Sequence, residues 1–222
     1  MPEETLSVDV FWSFRSPYSY LAMGRLVALQ EDLGLEINAR PVLPLAVRTP
    51  EFFAQVNPLF PSYLVRDVMR LGEFLGIPIR WPRPDPVVMN PDRTYPLEQP
   101  YIHRLTRLGV AAAERGRGLA FLDEVSKVIW DGSIESWHEG DHLSSAAARA
   151  GLDLDELDRA IEGNPDHFVG AIEANQQALE AAGHWGVPTM VFNGEPFFGQ
   201  DRIDLLVWRL QQAASSAGVV PS

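Results

Sequence analysis

The stretch FWSFRSPYSYLA, residues 11–22, decides the fold. Apolar residues are spaced two apart before it, as in a strand, and at helical spacing after it. Apolar residues alternate over residues 6–14, which is typical of a strand. Ser16 and Pro17 then supply a favoured N-cap and a favoured first residue of a helix. We therefore predict a strand that leads directly into a helix beginning at Ser16-Pro17.

The residues that follow complete a strand–helix–strand unit. Apolar residues continue the helix toward Gly34, a typical helix stop, and residues 35–42 have strand character again. Two strands joined by a helix are expected to be parallel, with a right-handed crossover.

Helical patterns dominate the middle of the chain, and strands return only near its end. A proline-rich segment at residues 78–100 interrupts the helices and predicts an irregular connector. Residues 189–193 have strand character, and Asn193-Gly194 is a strong hairpin signal. A last helix is expected to open at Gln200-Asp201.

This order of elements predicts an α/β protein with a thioredoxin-like fold and an all-helical insertion. The thioredoxin-like domain would consist of residues 1–50 and 183–222, and the insertion domain of residues 51–182.

Composition excludes several functional classes. The net charge of −12, from 18 basic and 30 acidic residues, argues against nucleic acid as a partner. No apolar run reaches the roughly 20 residues of a membrane span. The first ten residues have no basic region followed by an apolar run, as a signal peptide would, so we expect a cytoplasmic protein. The chain has no cysteine, which excludes disulfides, zinc–thiolate sites and a thiol nucleophile of its own.

Three short segments contain residues that could take part in binding or catalysis. Ser16 and Ser19 lie at a predicted helix N-terminus, where free N–H groups and the helix dipole stabilise an anion such as a thiolate. Pro188, in GVPT, enters a strand and could be cis, leaving the backbone of Val187 open to an extended peptide. Asp201, in GQDR, could receive an ammonium group. Each segment has a simpler interpretation: a helix cap for the first and third, a turn proline for the second.

Taken together, these segments resemble one family. The residues FWSFRSPYSYLA at 11–22, RPVL at 40–43 and GVPTMVFNGEPFFGQDRIDLL at 186–206 are similar to the 2-hydroxychromene-2-carboxylate isomerases. Those enzymes resemble the kappa-class glutathione transferases, in the DsbA-like branch of the thioredoxin fold. The similarity is sharp over the first ~45 and last ~40 residues, and the helical middle matches in layout more than in motif.

The resemblance implies a glutathione-dependent isomerase acting on a small aromatic or conjugated substrate. Ser16 would hold the glutathione sulfur as a thiolate, cis-Pro188 and the backbone of Val187 would bind its cysteinyl part, and Gln200 and Asp201 its γ-glutamyl end. The thiolate would add reversibly to the conjugated substrate, so that a carbon–carbon bond can rotate. The resemblance also implies a homodimer.

One part of the family pattern is missing. The family places a lysine and a Gly-Asn pair in the loop after the second strand, where this chain has LPLAVRTPEFFAQVNPLFP, residues 43–61. Arg48 and Asn57 are the candidates to replace them, although neither lies in a matching context.

Other interpretations remain open. A kappa-like glutathione transferase or peroxidase, or a redox-inactive thioredoxin-fold binding protein, would share these segments. His138 to His142 spell the zinc-protease pattern H-E-x-x-H, but Gly140-Asp141 argue against the continuous helix that this site needs, so we expect no metal. His184 could reach the active site, or be a solvated loop residue.

Overall fold

Two stretches far apart in the chain form one four-stranded sheet in the computed structural model, which describes residues 6–92 and 94–216. The strands are β1 (Ser7–Trp12), β2 (Glu36–Pro41), β3 (Thr189–Phe192) and β4 (Glu195–Phe198). The helices are α1 (Pro17–Leu33), α2 (Leu45–Arg48), α3 (Phe52–Gln55), α4 (Phe60–Leu75), α5 (Ile102–Glu114), α6 (Gly118–Trp130), α7 (His142–Arg149), α8 (Leu154–Gly163), α9 (Pro165–Ala181) and α10 (Ile203–Ser216). Residues 1–5, on which part of the signal-peptide expectation depends, and residues 217–222 of the predicted thioredoxin-like domain lie outside the described residues.

The sheet has the strand order β2-β1-β3-β4. β1 and β2 are parallel, as predicted, with Trp12 opposite Pro41. β3 runs antiparallel to β1, with Met190 opposite Val10, and β4 runs antiparallel to β3. Asn193 and Gly194 both have positive φ in the turn between them, which confirms the predicted hairpin. The fold is therefore α/β and thioredoxin-like, with helices α2 to α9 inserted between β2 and β3.

Both faces of the sheet are covered, which follows from the two-residue period of β1. Val8, Val10 and Trp12 are fully buried in the main core, which also contains residues of α1, α5, α6 and α10. Phe11 points the opposite way and packs in a second cluster with Leu179 of α9. The end of β1, where the candidate site begins, is consequently held from two sides.

The first helix begins and ends as its sequence predicts. The Ser16 side chain accepts a hydrogen bond from the Ser19 N–H, Pro17 occupies the first turn, and Gly34 ends the helix in the left-handed conformation. Trp130, at the end of α6, donates from its indole nitrogen to the Phe14 carbonyl at 2.9 Å. An inserted helix thus anchors the turn that carries Ser16.

The segment after β2, predicted only as a loop, contains the single-turn helices α2 and α3. A four-residue helix is too short to produce a hydrophobic period, which is why the sequence pattern misses both. The connector at residues 77–101 is irregular, as expected. Inserted helices also contact the sheet and first helix, α5 and α9 against β2 and α6 against α1, and the proposed domain division stays a prediction.

Within the described residues, no helix combines the length and apolar character that crossing a bilayer requires.

Candidate active site

Ser16 lies where the end of the sheet meets the first turn of α1. Its Oγ accepts from the Ser19 N–H at 3.2 Å and donates to the Val187 carbonyl at 3.2 Å. The side chain is partly exposed. An oxygen at the positive end of a 17-residue helix, beside free N–H groups, can stabilise a bound anion.

Ser19 contributes its backbone rather than its hydroxyl. The residue is fully buried, and its Oγ has no hydrogen-bond partner among the described residues. Only the first serine of Ser16-x-x-Ser19 therefore faces the open side of the turn.

The Val187-Pro188 peptide bond is cis, as predicted. The preceding turn is held by the Thr189 hydroxyl, which donates to the Gly186 carbonyl at 2.7 Å. The structure therefore brings Ser16, Val187 and Pro188 together at one end of the sheet.

The turn after β4 lies beside Pro188. Gly199 donates from its N–H to the Pro188 carbonyl at 2.9 Å, and its φ of 108° is one that residues with a Cβ rarely adopt. The 3-10 turn Gln200–Arg202 follows. Asp201 forms an ion pair with Arg202 at 2.7 Å. Because its side chain is exposed, a ligand can still reach the carboxylate.

Gln200 is buried and its side chain is already engaged. Arg25 of α1 donates to the Gln200 carbonyl at 2.6 Å and also to its side-chain oxygen. Burial lowers the pKa of Arg25, while the charges of Asp204 and Asp201 raise it. Sequence reasoning missed Arg25, although a single arginine inside the apolar run YLAMGRLVAL was a signal of a specific partner.

Arg48 lies near these residues, whereas Asn57 is not brought to them. Arg48 donates from Nε to the Leu43 carbonyl at 3.0 Å and from Nη2 to the Trp185 carbonyl, and burial lowers its pKa. The exposed Asn57 accepts from the Leu59 N–H at 3.0 Å and makes no contact with the other candidate residues in the described part of the chain. Both remain candidates from sequence only.

Aromatic side chains surround the loop that precedes Val187. His184 is stacked on Phe198, with ring centroids 4.0 Å apart, and on Trp185 at 5.3 Å. Phe52 of α3 contacts Trp185 at 5.1 Å. His184 is therefore packed between two rings and only partly exposed, and its Nδ1 accepts from the Gly186 N–H at 2.9 Å.

The H-E-x-x-H segment does not form one helix. Gly140 has a φ of 61°, and α7 begins only at His142, with Asp141 as its N-cap residue. The two histidines consequently do not share one face of a continuous helix. Among the described residues, no group of three or more His, Asp or Glu side chains is placed to hold a metal ion.

Comparisons with known proteins agree with this geometry. The family model described as DSBA-like thioredoxin domain matches residues 7–211. A 2-hydroxychromene-2-carboxylate isomerase of Pseudomonas putida is 25% identical over 209 residues, covering 90% of this chain and 91% of the relative. The enzyme of the same name from Sphingobium xenophagum is 26% identical, covering 91% and 96%.

A solved structure of a 2-hydroxychromene-2-carboxylate isomerase matches with a TM-score of 0.70 and 22% identity, covering 97% of this chain and all of that one. The resemblance drawn from the three sequence segments is thereby confirmed.

Proposed function

Because this chain belongs to the DSBA-like thioredoxin domain family, we propose that it is a glutathione-dependent isomerase of the 2-hydroxychromene-2-carboxylate isomerase type. The observation that carries the proposal is Ser16 Oγ at the first turn of α1, 3.2 Å from the Val187 carbonyl, in a chain without any thiol. A site suited to a thiolate, with no thiol of its own, needs one from a small molecule.

The residues present fit the chemical groups of glutathione. Ser16 and the N-terminus of α1 suit its sulfur, and the backbone of Val187 suits its cysteinyl amide. The exposed carboxylate of Asp201 suits the γ-glutamyl ammonium group. For the glycyl carboxylate we propose Arg48, which lies near this loop through its bond to the Trp185 carbonyl. Asn57, the second candidate from the sequence, is not brought to these residues.

When bound, glutathione supplies a thiolate that adds to a conjugated carbon and leaves again after rotation about the carbon–carbon bond. The task of the protein is to keep the sulfur ionised. A free thiol has a pKa of about 8.5 and is only a few per cent ionised at neutral pH. Ser16 supplies one hydrogen bond, and the helix N-terminus supplies a positive potential.

The Ser16 hydroxyl cannot donate to a sulfur while it donates to the Val187 carbonyl. An amide N–H of a ligand that pairs with this carbonyl would take over its role as donor. The Ser16 proton would then be free to turn toward the sulfur. The same carbonyl therefore links binding of the peptide part to stabilisation of the thiolate.

Calorimetry with glutathione tests binding. We expect the wild type to bind glutathione, and Asp201→Asn to bind it about 10- to 100-fold more weakly, since a charge-assisted hydrogen bond contributes roughly 1.5–3 kcal/mol. The matched control is Asp204→Asn, which makes the same charge change one residue into α10. Absence of glutathione binding at millimolar concentration would contradict the proposal. Normal binding by Asp201→Asn would show that Asp201 does not contact glutathione.

The fate of the thiol separates isomerase from transferase. With a cis conjugated enone as substrate, an isomerase converts it to the trans form while the concentration of free thiol stays constant. Net loss of thiol, with a stable conjugate as product, would favour the transferase instead. Binding of glutathione without either product would favour a binding protein.

A further inference from the structure

Arg15 immediately precedes Ser16, and its guanidinium is held by two contacts. The group lies over the ring of Trp81, 4.7 Å from its centroid, and its Nε contacts Oδ1 of Asp85. The side chain is 23% exposed, so it is withdrawn from bulk water yet open on one side. Both supports belong to the proline-rich connector at residues 78–100.

Asp85 contacts three donor groups. Its Oδ1 accepts from the Val87 N–H at 3.0 Å, and its Oδ2 accepts from the Trp81 indole at 3.2 Å, in addition to the contact with Arg15. Nη1 and Nη2 of Arg15, by contrast, make no hydrogen bond within residues 6–92 and 94–216. The guanidinium therefore presents an unused pair of donors.

Arg209 has the same kinds of contact as Arg15, but one of its Nη groups is also hydrogen-bonded. We call this the closed arrangement. Its guanidinium lies 4.8 Å from the centroid of the Trp208 ring, and its Nε lies 2.7 Å from a carboxylate oxygen of Glu195. Its Nη2 also donates to the other Glu195 oxygen, at 3.0 Å. The two arginines have the same kinds of support, but only Arg15 leaves both Nη groups open.

Aromatic side chains lie beside the loop that precedes Val187 and also beside Arg15. One line of them begins at Trp185, two residues before Val187, and continues through Phe52 at 5.1 Å, Phe53 at 5.2 Å and Tyr95 at 6.2 Å between successive ring centroids. On the other side of Ser16, the Arg15 guanidinium lies 4.7 Å from the centroid of Trp81 and 6.0 Å from that of Trp130. Aromatic surface is therefore present both beside the Val187 loop and beside Arg15.

We propose that Nη1 and Nη2 of Arg15 bind the carboxylate of a flat aromatic or conjugated acceptor, and that this residue selects anionic over neutral acceptors. A carboxylate fits the two parallel N–H groups of a guanidinium, and the aromatic line offers apolar surface to the rest of the molecule. The inference rests on the proposed function, because it assigns the second substrate of the same site.

The test is calorimetric titration with trans-cinnamate and its neutral counterpart trans-cinnamamide, in the absence of glutathione. We expect the wild type to bind cinnamate at least about tenfold more tightly than cinnamamide. Arg15→Met should lose this preference while binding of cinnamamide is unchanged, and Arg15→Lys should keep part of it. The matched control is Arg209→Met, which removes the same charge from the closed arrangement and should leave the preference intact.

Retention of the preference in folded Arg15→Met, its equal loss in Arg209→Met, or its absence from the wild type would each overturn the inference. Thermal melting of each variant shows that it is folded, and Arg15→Gln replaces Arg15→Met if that variant is not. The proposed function is tested separately, by measuring whether glutathione is bound and used. If glutathione is neither bound nor used while the preference still depends on Arg15, the isomerase proposal fails and the carboxylate site stands.

Discussion

The oxygen of Ser16 takes part in two interactions that substitution can separate. It caps α1 through the Ser19 N–H, and it is the hydroxyl proposed to face a sulfur. Ser16→Ala should cost about 1 kcal/mol of stability through loss of the cap. Loss of a hydrogen bond to a charged sulfur, worth roughly 1.5–3 kcal/mol, should raise the pKa of the bound thiol by about one to two units.

Activity at neutral pH should then fall about 10- to 100-fold in Ser16→Ala and recover in part at higher pH, where the thiol ionises unaided. Ultraviolet thiolate absorbance of bound glutathione against pH measures the effect directly. Ser16→Gly retains most of the cap, because glycine is a good N-cap residue. Ser19→Ala is the matched control, since its buried hydroxyl has no partner and its N–H stays in place. An unchanged titration midpoint in both Ser16 variants would leave Ser16 as a structural cap.

At the scale of elements, local chemistry explains which boundaries could be predicted. Ser16 and Gly34 delimit α1, and Asp153 caps α8 through the Glu156 N–H at 3.0 Å. Each of these signals lies within a few residues of the boundary it sets. The bond from Arg25 to Gln200 spans 175 positions and leaves no local pattern, which is why sequence reasoning missed Arg25. The position of Arg48 depends likewise on Trp185, 137 positions away.

The turn that joins β4 to α10 depends on Gly199. A Cβ at this position would lie 2.6 Å from Oδ1 of Asp201, and the φ of 108° is itself strained for any other residue. Gly199→Ala should cost about 1–3 kcal/mol of stability and should also displace the Asp201 carboxylate. We therefore expect a lower melting temperature together with weaker glutathione binding.

The hairpin glycine Gly194 provides the control. It also has a positive φ, 78°, but a Cβ there would meet nothing within 4 Å. Gly194→Ala should lower the melting temperature and leave glutathione affinity unchanged. Equal affinities in the two alanine variants would contradict a role for the Gly199 turn in presenting Asp201.

The loop before β3 should respond to pH through His184. Burial lowers the pKa of this ring below its usual value, and Nδ1 accepts from the Gly186 N–H, which requires that nitrogen to be unprotonated. As the pH falls through the ordinary histidine value of about 6.5, the unfolded chain takes up the proton first. The stability contributed by neutral His184 is therefore present above that pH and lost below it.

Melting temperatures at about pH 7.5 and 5.5 measure this effect, the two values lying on either side of the ordinary histidine pKa. We expect the wild type to lose more stability between them than His184→Phe, which keeps an aromatic ring to stack but cannot accept the proton. His103, whose pKa burial also lowers, is the same in both proteins and cancels in the comparison. An identical loss in the two proteins would contradict the assignment.

At the scale of the whole molecule, we propose a homodimer. Several large apolar side chains of α4 are exposed, among them Val65, Met69 and Phe74, the last at 83%. Light scattering at micromolar concentration should give twice the mass of one chain. Met69→Lys with Phe74→Lys should shift it to the monomer, because burying a charge in an apolar interface is unfavourable. Trp208→Lys, on the exposed side of α10, is the control, and a monomeric wild type would contradict the proposal.

The order of synthesis has a consequence for how this molecule acquires its site. The bond from Ser16 to Val187 spans 171 positions, and β1 has its antiparallel neighbour only in β3. On the ribosome, α1 and the inserted helices emerge long before the strand that completes the sheet beside β1. Contacts of such high sequence separation form slowly, because the long intervening chain must be closed first. Until then an edge of β1 is unpaired, so we expect aggregation during folding to start there, well before the binding site exists.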